Sequence, residues 1–228
     1  MYEMKELQAV IFDLDGVITD TAEYHYVAWK EIAKELDIDI DRQFNEQLKG
    51  VSHTESFNRV LAHGDRADDF TDEEKQYYAE KKNDLYKELI KQVTPKDLLP
   101  GIERLLKDLQ QANIKIGLAS ASKNAFTVIE NLQVGSYFDT IVDATKVKNS
   151  KPDPEVFLKA ADQLGVPYEA CVGVEDAEAG VEAINRADMV AVGIGSENEL
   201  SEAALILSST VDLTLELIKE VHAASSRS

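Results

Sequence analysis

Short apolar runs rich in Val and Ile alternate along this chain with amphipathic stretches, and that rhythm limits what it can fold into. The clearest runs are Ala9–Phe12 (AVIF), Ile114–Ala119 (IKIGLA), Tyr137–Asp143 (YFDTIVD), Cys171–Val174 (CVGV) and Met189–Ile194 (MVAVGI), with a weaker one at Ala204–Leu207. Runs this short, with little polar alternation, fit strands covered on both faces. Between them, Gly101–Gln111, Asn124–Leu132, Asp153–Leu164 and Gly180–Asn185 carry apolar residues at three- and four-residue spacing, as helices with one buried face do. Alternating strands and helices imply right-handed crossovers. The expected fold class is α/β, with a Rossmann-like, mostly parallel sheet.

Residues from about Thr21 to Val93 break the rhythm. They hold no convincing strand and read as helices at Thr21–Leu36, Asp41–Leu48, Thr54–Ala62 and Asp72–Gln92. The expected organisation is a sheet domain of residues 1–20 and 94–228, with a helical domain of residues 21–93 inserted after the first strand. The hinges would lie near Thr19-Asp20-Thr21 and Val93-Thr94-Pro95. The alternative is that these helices simply pack on the sheet. The total of 228 residues suits one large domain or two modest ones.

With 43 acidic and 24 basic residues the formal charge is −19, which disfavours nucleic acid and anionic membranes as partners. An anionic substrate would therefore need positive charge concentrated locally. The single cysteine, Cys171, lies in an apolar run and cannot form an internal disulfide, as expected of a reduced, cytoplasmic protein. The first residues, Met1-Tyr2-Glu3-Met4-Lys5-Glu6, do not resemble a signal peptide, and no apolar window is long enough for a membrane span. The expected partner is a small molecule, met by a monomer.

In an open parallel sheet, ligands sit beyond the carboxyl ends of the strands. The first run ends in Phe12-Asp13-Leu14-Asp15-Gly16, where alternation turns Asp13 and Asp15 the same way and Leu14 into the core. Two acids this close repel and call for a cation, and oxygen ligands without a His or Cys cluster suit Mg²⁺. The second run ends in Ala119-Ser120-Ala121-Ser122-Lys123-Asn124 before a helix, where hydroxyls and free N–H groups can hold an anion. After the third run, Lys146, Lys148 and Lys151 fall within six residues of an acidic chain, and Pro152 restrains the backbone beside Lys151. The fourth run ends in Val174-Glu175-Asp176, a second acidic pair. Each segment alone has a plainer explanation: a solvated turn, ordinary N-capping by Ser122 or Asn124, solvated lysines, or acids complementing a helix dipole. Together, four successive strand ends carrying D-x-D, Ser, Lys and E-D read as nucleophile, phosphate holder, cation and metal ligands converging on one point.

These segments, in this order, resemble the four motifs of the haloacid dehalogenase superfamily, and the helical insertion looks like its α-helical cap. Asp13–Trp29 (DLDGVITDTAEYHYVAW), Leu48–Ser52 (LKGVS) and LASASKN at 118–124 are similar to its sugar-phosphate mutases, along a likeness from about Ala9 to Lys219. The resemblance implies that Asp13 attacks phosphorus and becomes an aspartyl phosphate. It implies Asp15 as general acid and base, and Ser120 and Lys151 as holders of the transferring group. Mg²⁺ would be held by Asp13, the Asp15 backbone carbonyl, Glu175 and Asp176. The implied reaction interconverts β-D-glucose 1-phosphate and D-glucose 6-phosphate through the 1,6-bisphosphate. The alternative is a sugar-phosphate phosphatase, in which water accepts the phosphoryl group.

For the substrate, the resemblance implies Thr21, His25 and Trp29, spaced four apart on one helix face. It also implies the loop Lys49-Gly50-Val51-Ser52-His53 and the segment Ala121, Ser122, Lys123 and Asn124. One residue departs from the pattern. Family members usually carry arginine where this chain has His53, and histidine cannot form arginine's bidentate phosphate clamp. Arg59 or Lys49 are the candidates to compensate.

Overall fold

The computed structural model describes residues 6–48 and 51–225. Its six strands are β1 (Ala9–Phe12), β2 (Lys115–Leu118), β3 (Thr140–Ile141), β4 (Cys171–Glu175), β5 (Val190–Ile194) and β6 (Leu205–Leu207). All pair in parallel, in the order β3-β2-β1-β4-β5-β6. The expected parallel α/β sheet is borne out. From β1 the chain builds one side of the sheet and then crosses to build the other, so the order reverses beside β1, where ligands of such sheets bind. All four residues of β1 are fully buried, which explains why its sequence shows no polar alternation.

The chain divides into two compact units, one made of the described residues of Met1–Asp20 and Val93–Ser228, the other of the described residues of Thr21–Gln92. In the second unit, α1 (Ala22–Glu35), α2 (Arg42–Glu46), α3 (His53–His63) and α4 (Asp72–Leu89) surround a core of Trp29, Ile32, Phe44, Phe57, Val60 and Leu61. Their starts are locally encoded. Asp41 accepts the Phe44 N–H and Ser52 the Glu55 N–H, while Thr71 and Glu74 form a reciprocal capping box.

In the sheet unit the helices are α5 (Ile102–Gln111), α6 (Ala125–Asn131), α7 (Glu155–Leu164), α8 (Glu178–Arg186) and α9 (Leu215–Ser225). Helix α7 buries Val156, Phe157, Ala160, Ala161 and Leu164, the periodic stripe expected of it, and stops at Gly165 in the left-handed conformation. Helix α9 was not foreseen, although Leu215, Ile218, Val221 and His222 form a buried stripe. The third run yields a strand of only two residues. Among the described residues, no helix is long and apolar enough to cross a membrane.

Candidate active site

The sheet register assembles the site. Phe12 pairs with Leu118 on one side and Val174 on the other. The Asp13 N–H donates to the Val174 carbonyl (2.9 Å) and the Ala119 N–H to the Phe12 carbonyl (2.8 Å). These bonds hold Asp13, Ala119 and Glu175 side by side as the strands end.

Lys151 reaches this point from the loop after β3, just before a cis bond to Pro152. Its ammonium donates to Asp13 Oδ1 (2.6 Å), Glu175 Oε1 (2.6 Å) and the Ala119 carbonyl (3.1 Å). It also lies 5.1 Å from the centre of the Phe157 ring. Lys151 is 2% exposed and Glu175 1%, so these charges have left water. Burial opposes the ammonium, but the carboxylates of Asp13 and Glu175 overcome it and hold Lys151 above the usual lysine range. Burial raises the Asp13 carboxyl to about 7. Lys151 pulls it the other way, while Glu175 and Asp15 add to the rise. Two acids sharing one ammonium leave net negative charge, which favours a further cation or a proton.

Carboxylate oxygens of Asp13, Glu175 and Asp176 lie within 4.8 Å of one another. Three oxygen donors with neither His nor Cys among them fit a hard divalent cation. Both Glu175 oxygens already work: Oε1 meets Lys151, and Oε2 accepts the N–H groups of Asp176 (2.8 Å) and Ala177 (2.9 Å). Glu175 therefore fixes Lys151 as well as closing the acidic group. Asp15 is partly buried, and its carboxylate is not one of the three. Gly16, at φ +73°, makes the tight exit from β1, its N–H donating to the Thr19 carbonyl (2.7 Å).

The segment after β2 is a ladder of hydroxyls. Ser120 Oγ accepts the Ser122 N–H (3.1 Å), and Ser122 Oγ accepts the Asn124 N–H (3.2 Å). Ser120, Ser122 and Asn124 are buried, Ala121 is partly buried and Lys123 is exposed. Asn124 holds the N-cap position of α6 without a side-chain cap bond.

The helical unit gathers the residues expected on one face of α1 and adds two from α4. Lys82 Nζ lies 2.6 Å from His25 Nδ1 and 5.0 Å from the centre of the Trp29 ring. Tyr86 stacks on His25 with centroids 4.0 Å apart, and its hydroxyl meets Thr21 Oγ1 at 2.9 Å. Lys82 and Tyr86 were missed because α4 reads as a solvated charged helix; the available signal was their place with Ala79 on its one buried stripe. Val51 and His53 are buried, and the Ser52 hydroxyl oxygen is engaged in capping α3. Arg59 is held by Glu55 (3.0 Å) and the Gln47 carbonyl (2.5 Å). Lys49 and Gly50 lie outside the described residues.

Fold and site define an α/β enzyme of acidic-cluster phosphoryl chemistry, and comparison with known proteins agrees: the chain belongs to the haloacid dehalogenase-like hydrolase family, whose profile matches residues 10–194. It is 51% identical to the β-phosphoglucomutase of Bacillus subtilis, over 94% of this chain and 95% of that one. The crystal structure of β-phosphoglucomutase from Clostridium difficile superposes with a TM-score of 0.95 at 50% identity, covering 97% of this chain and 100% of that one. The fructose-1-phosphate phosphatase YqaB of Escherichia coli is 31% identical over 85% of this chain and 98% of its own.

Proposed function

We propose that this chain is a phosphomutase interconverting β-D-glucose 1-phosphate and D-glucose 6-phosphate, by way of an aspartyl phosphate on Asp13 and glucose 1,6-bisphosphate. One observation carries the reading: a chain matched nearly end to end, at 51% identity, with a β-phosphoglucomutase also brings Asp13, Lys151, Glu175 and Asp176 to one point.

Asp13 acts as the nucleophile. One of its oxygens is engaged by Lys151, which leaves the other to form the new bond to phosphorus while the bond to the sugar oxygen breaks. Lys151 and the Ser120 hydroxyl stabilise charge on the transferring oxygens. Asp15, two residues along the same exit, gives a proton to the departing sugar oxygen and takes one from the attacking hydroxyl in the return step. Asp13, Glu175, Asp176 and the Asp15 backbone carbonyl would hold Mg²⁺, which would supply charge neutralisation to the phosphoryl group.

Ser122, Lys123 and Asn124 are assigned to the second phosphate, with Ala121 giving the backbone its turn. In the helical unit, Thr21, His25 and Trp29 with Lys82 are assigned to the sugar. Val51, Ser52 and His53, with Lys49 and Gly50, are assigned to a phosphate. The setting assigned to the chain is the cytoplasm; Cys171 is buried and its thiol is pushed up to about 12 by burial, which makes it unreactive.

The test is conversion of β-glucose 1-phosphate, primed with the bisphosphate and Mg²⁺, with glucose 6-phosphate and inorganic phosphate measured together. Isomerisation with little phosphate release supports a mutase. Stoichiometric phosphate release without isomerisation would assign the chain to the phosphatases of its family.

A further inference from the structure

Of the three lysines after β3, the site absorbs only Lys151; the rest of that loop is bound to α7. Glu155, the first residue of α7, turns its carboxylate back onto the loop backbone. It accepts the N–H of Lys148 (3.0 Å) and of Asn149 (2.8 Å), and the Asn149 side-chain amide (3.1 Å). One turn later, Lys159 pairs with Glu155 Oε1 at 2.7 Å and donates to the Lys146 carbonyl. The Asp153 N–H donates to the Ser150 carbonyl (3.0 Å), and its side chain accepts the Glu155 N–H (2.9 Å). Backbone groups at four of the five positions before Lys151 are thus tied to Asp153, Glu155 or Lys159.

We propose that Glu155 is a positioning residue for Lys151: its carboxylate, clamped by Lys159, splints the loop that delivers the buried ammonium to Asp13 and Glu175. The proposal rests on the reading of Lys151 as part of the phosphoryl-transfer site. A lysine stem has several rotatable bonds, so an ammonium shared between two carboxylates demands a fixed backbone behind it. The contacts favour the charged carboxylate strongly enough to hold Glu155 down at about 2, with Lys159 the largest cause. The competing role for an acid at this place is to complement the helix dipole, which needs charge but not reach. The two roles separate in the variants. Glu155→Asp keeps the charge at the helix start and loses the reach to Lys148 and Asn149. Glu155→Gln keeps the reach and one acceptor oxygen.

The experiment is quench-flow phosphorylation of Asp13 by acetyl phosphate and Mg²⁺ under single-turnover conditions, where the rate constant does not depend on the fraction of folded enzyme. Glu155→Ala and Glu155→Asp are expected to slow it about 10- to 100-fold, the scale of a misplaced catalytic group. Glu155→Gln should recover part of the loss. Glu155→Ala on top of Lys151→Ala should cost nothing further. If Lys151→Ala is slow while Glu155→Asp and Glu155→Gln keep the wild-type rate, the positioning role is overturned. The same follows if the losses at 151 and 155 simply multiply. A wild-type rate in Lys151→Ala would instead overturn the reading of the site, and this proposal with it. Should Glu155→Ala not fold, the Asp and Gln variants carry the same test.

Discussion

Gly180, in the first turn of α8, lies against the side chain of Glu175: a methyl group at Gly180 would stand 2.5 Å from Glu175 Cγ and overlap its carboxylate. Gly16 has the same relation to Asp176, whose Cγ would be 2.5 Å from a Cβ there. Each acid of the pair therefore has its place kept open by a glycine on a different element. In each case the overlap is with the acid's side chain and reaches back to Glu175 Cγ and to Asp176 Cβ, so the acid must move as a whole. Gly180→Ala should accordingly cost about 3 kcal/mol, because moving Glu175 breaks its buried pair with Lys151 and its bonds to two backbone N–H groups. It should slow phosphoryl transfer about 100-fold, because Glu175 would release Lys151. Thermal melts beside single-turnover rates check this; a destabilised variant that keeps the wild-type rate constant would show ordinary overpacking instead.

Asp13→Asn should abolish the phosphoenzyme and yet stabilise the metal-free protein. Folded Asp13 titrates near 7 against an ordinary value of 3.8, so the folded state pays for its charge above about pH 7 and pays nothing below about pH 4. Removing one of two acids around Lys151 leaves a neutral pair with Glu175. In EDTA at pH 8 the variant should gain on the order of 2 kcal/mol. The gain should shrink as pH falls from 7 toward 4. Urea titrations at the two pH values measure it, and a loss at pH 8 would show that the Asp13–Lys151 contact is net stabilising.

The same titration shift predicts how metal binding responds to pH. A proton on Asp13 competes with a cation for the same oxygens, so Mg²⁺ affinity should weaken as pH falls below about 7 and level off above it. Calorimetric titration with MgCl₂ from pH 6 to 8 reads this directly. Asp176→Asn should weaken binding across the whole range.

Lys82 is fully buried between His25, Trp29 and Tyr86. A buried ammonium is expensive, and an apolar side chain of similar length often fits such a place at least as well. Lys82→Met is therefore expected to keep or raise the melting temperature while lowering kcat/KM for the sugar phosphate at least tenfold. Unchanged kinetics would make Lys82 a structural residue of the helical unit.

The sheet and its chemistry were legible because both are local in sequence. Ala9–Phe12 is apolar throughout and ends directly in Asp13, so strand and candidate nucleophile are read together. Helix α9 was missed although its stripe at Leu215, Ile218 and Val221 was present, because no strand follows to complete the alternating pattern. Lys82 was missed for a different reason. Most lysines on a helix as polar as α4 are solvated, and only the packing of His25 and Tyr86 makes this one an exception. Glu155 and Gly180 carry no signature beyond a helix-start acid and a small residue. Their significance lies in what they touch, which one sequence cannot show.

His53→Arg tests the departure from the family pattern. His53 is buried in the first turn of α3, and arginine there offers two parallel donors to a phosphate. Bisphosphate binding should tighten about tenfold, read as a lower KM with kcat changed less. Weaker or unchanged binding would show that this loop does not grip phosphate.

The central claim concerns a covalent bond to one residue, and chemical trapping reads it most directly. Enzyme quenched during turnover and reduced with borohydride should carry homoserine in place of Asp13, located by peptide mass spectrometry, and Asp13→Asn should carry none. Homoserine at another position, or turnover with no acyl phosphate at Asp13, would contradict the account.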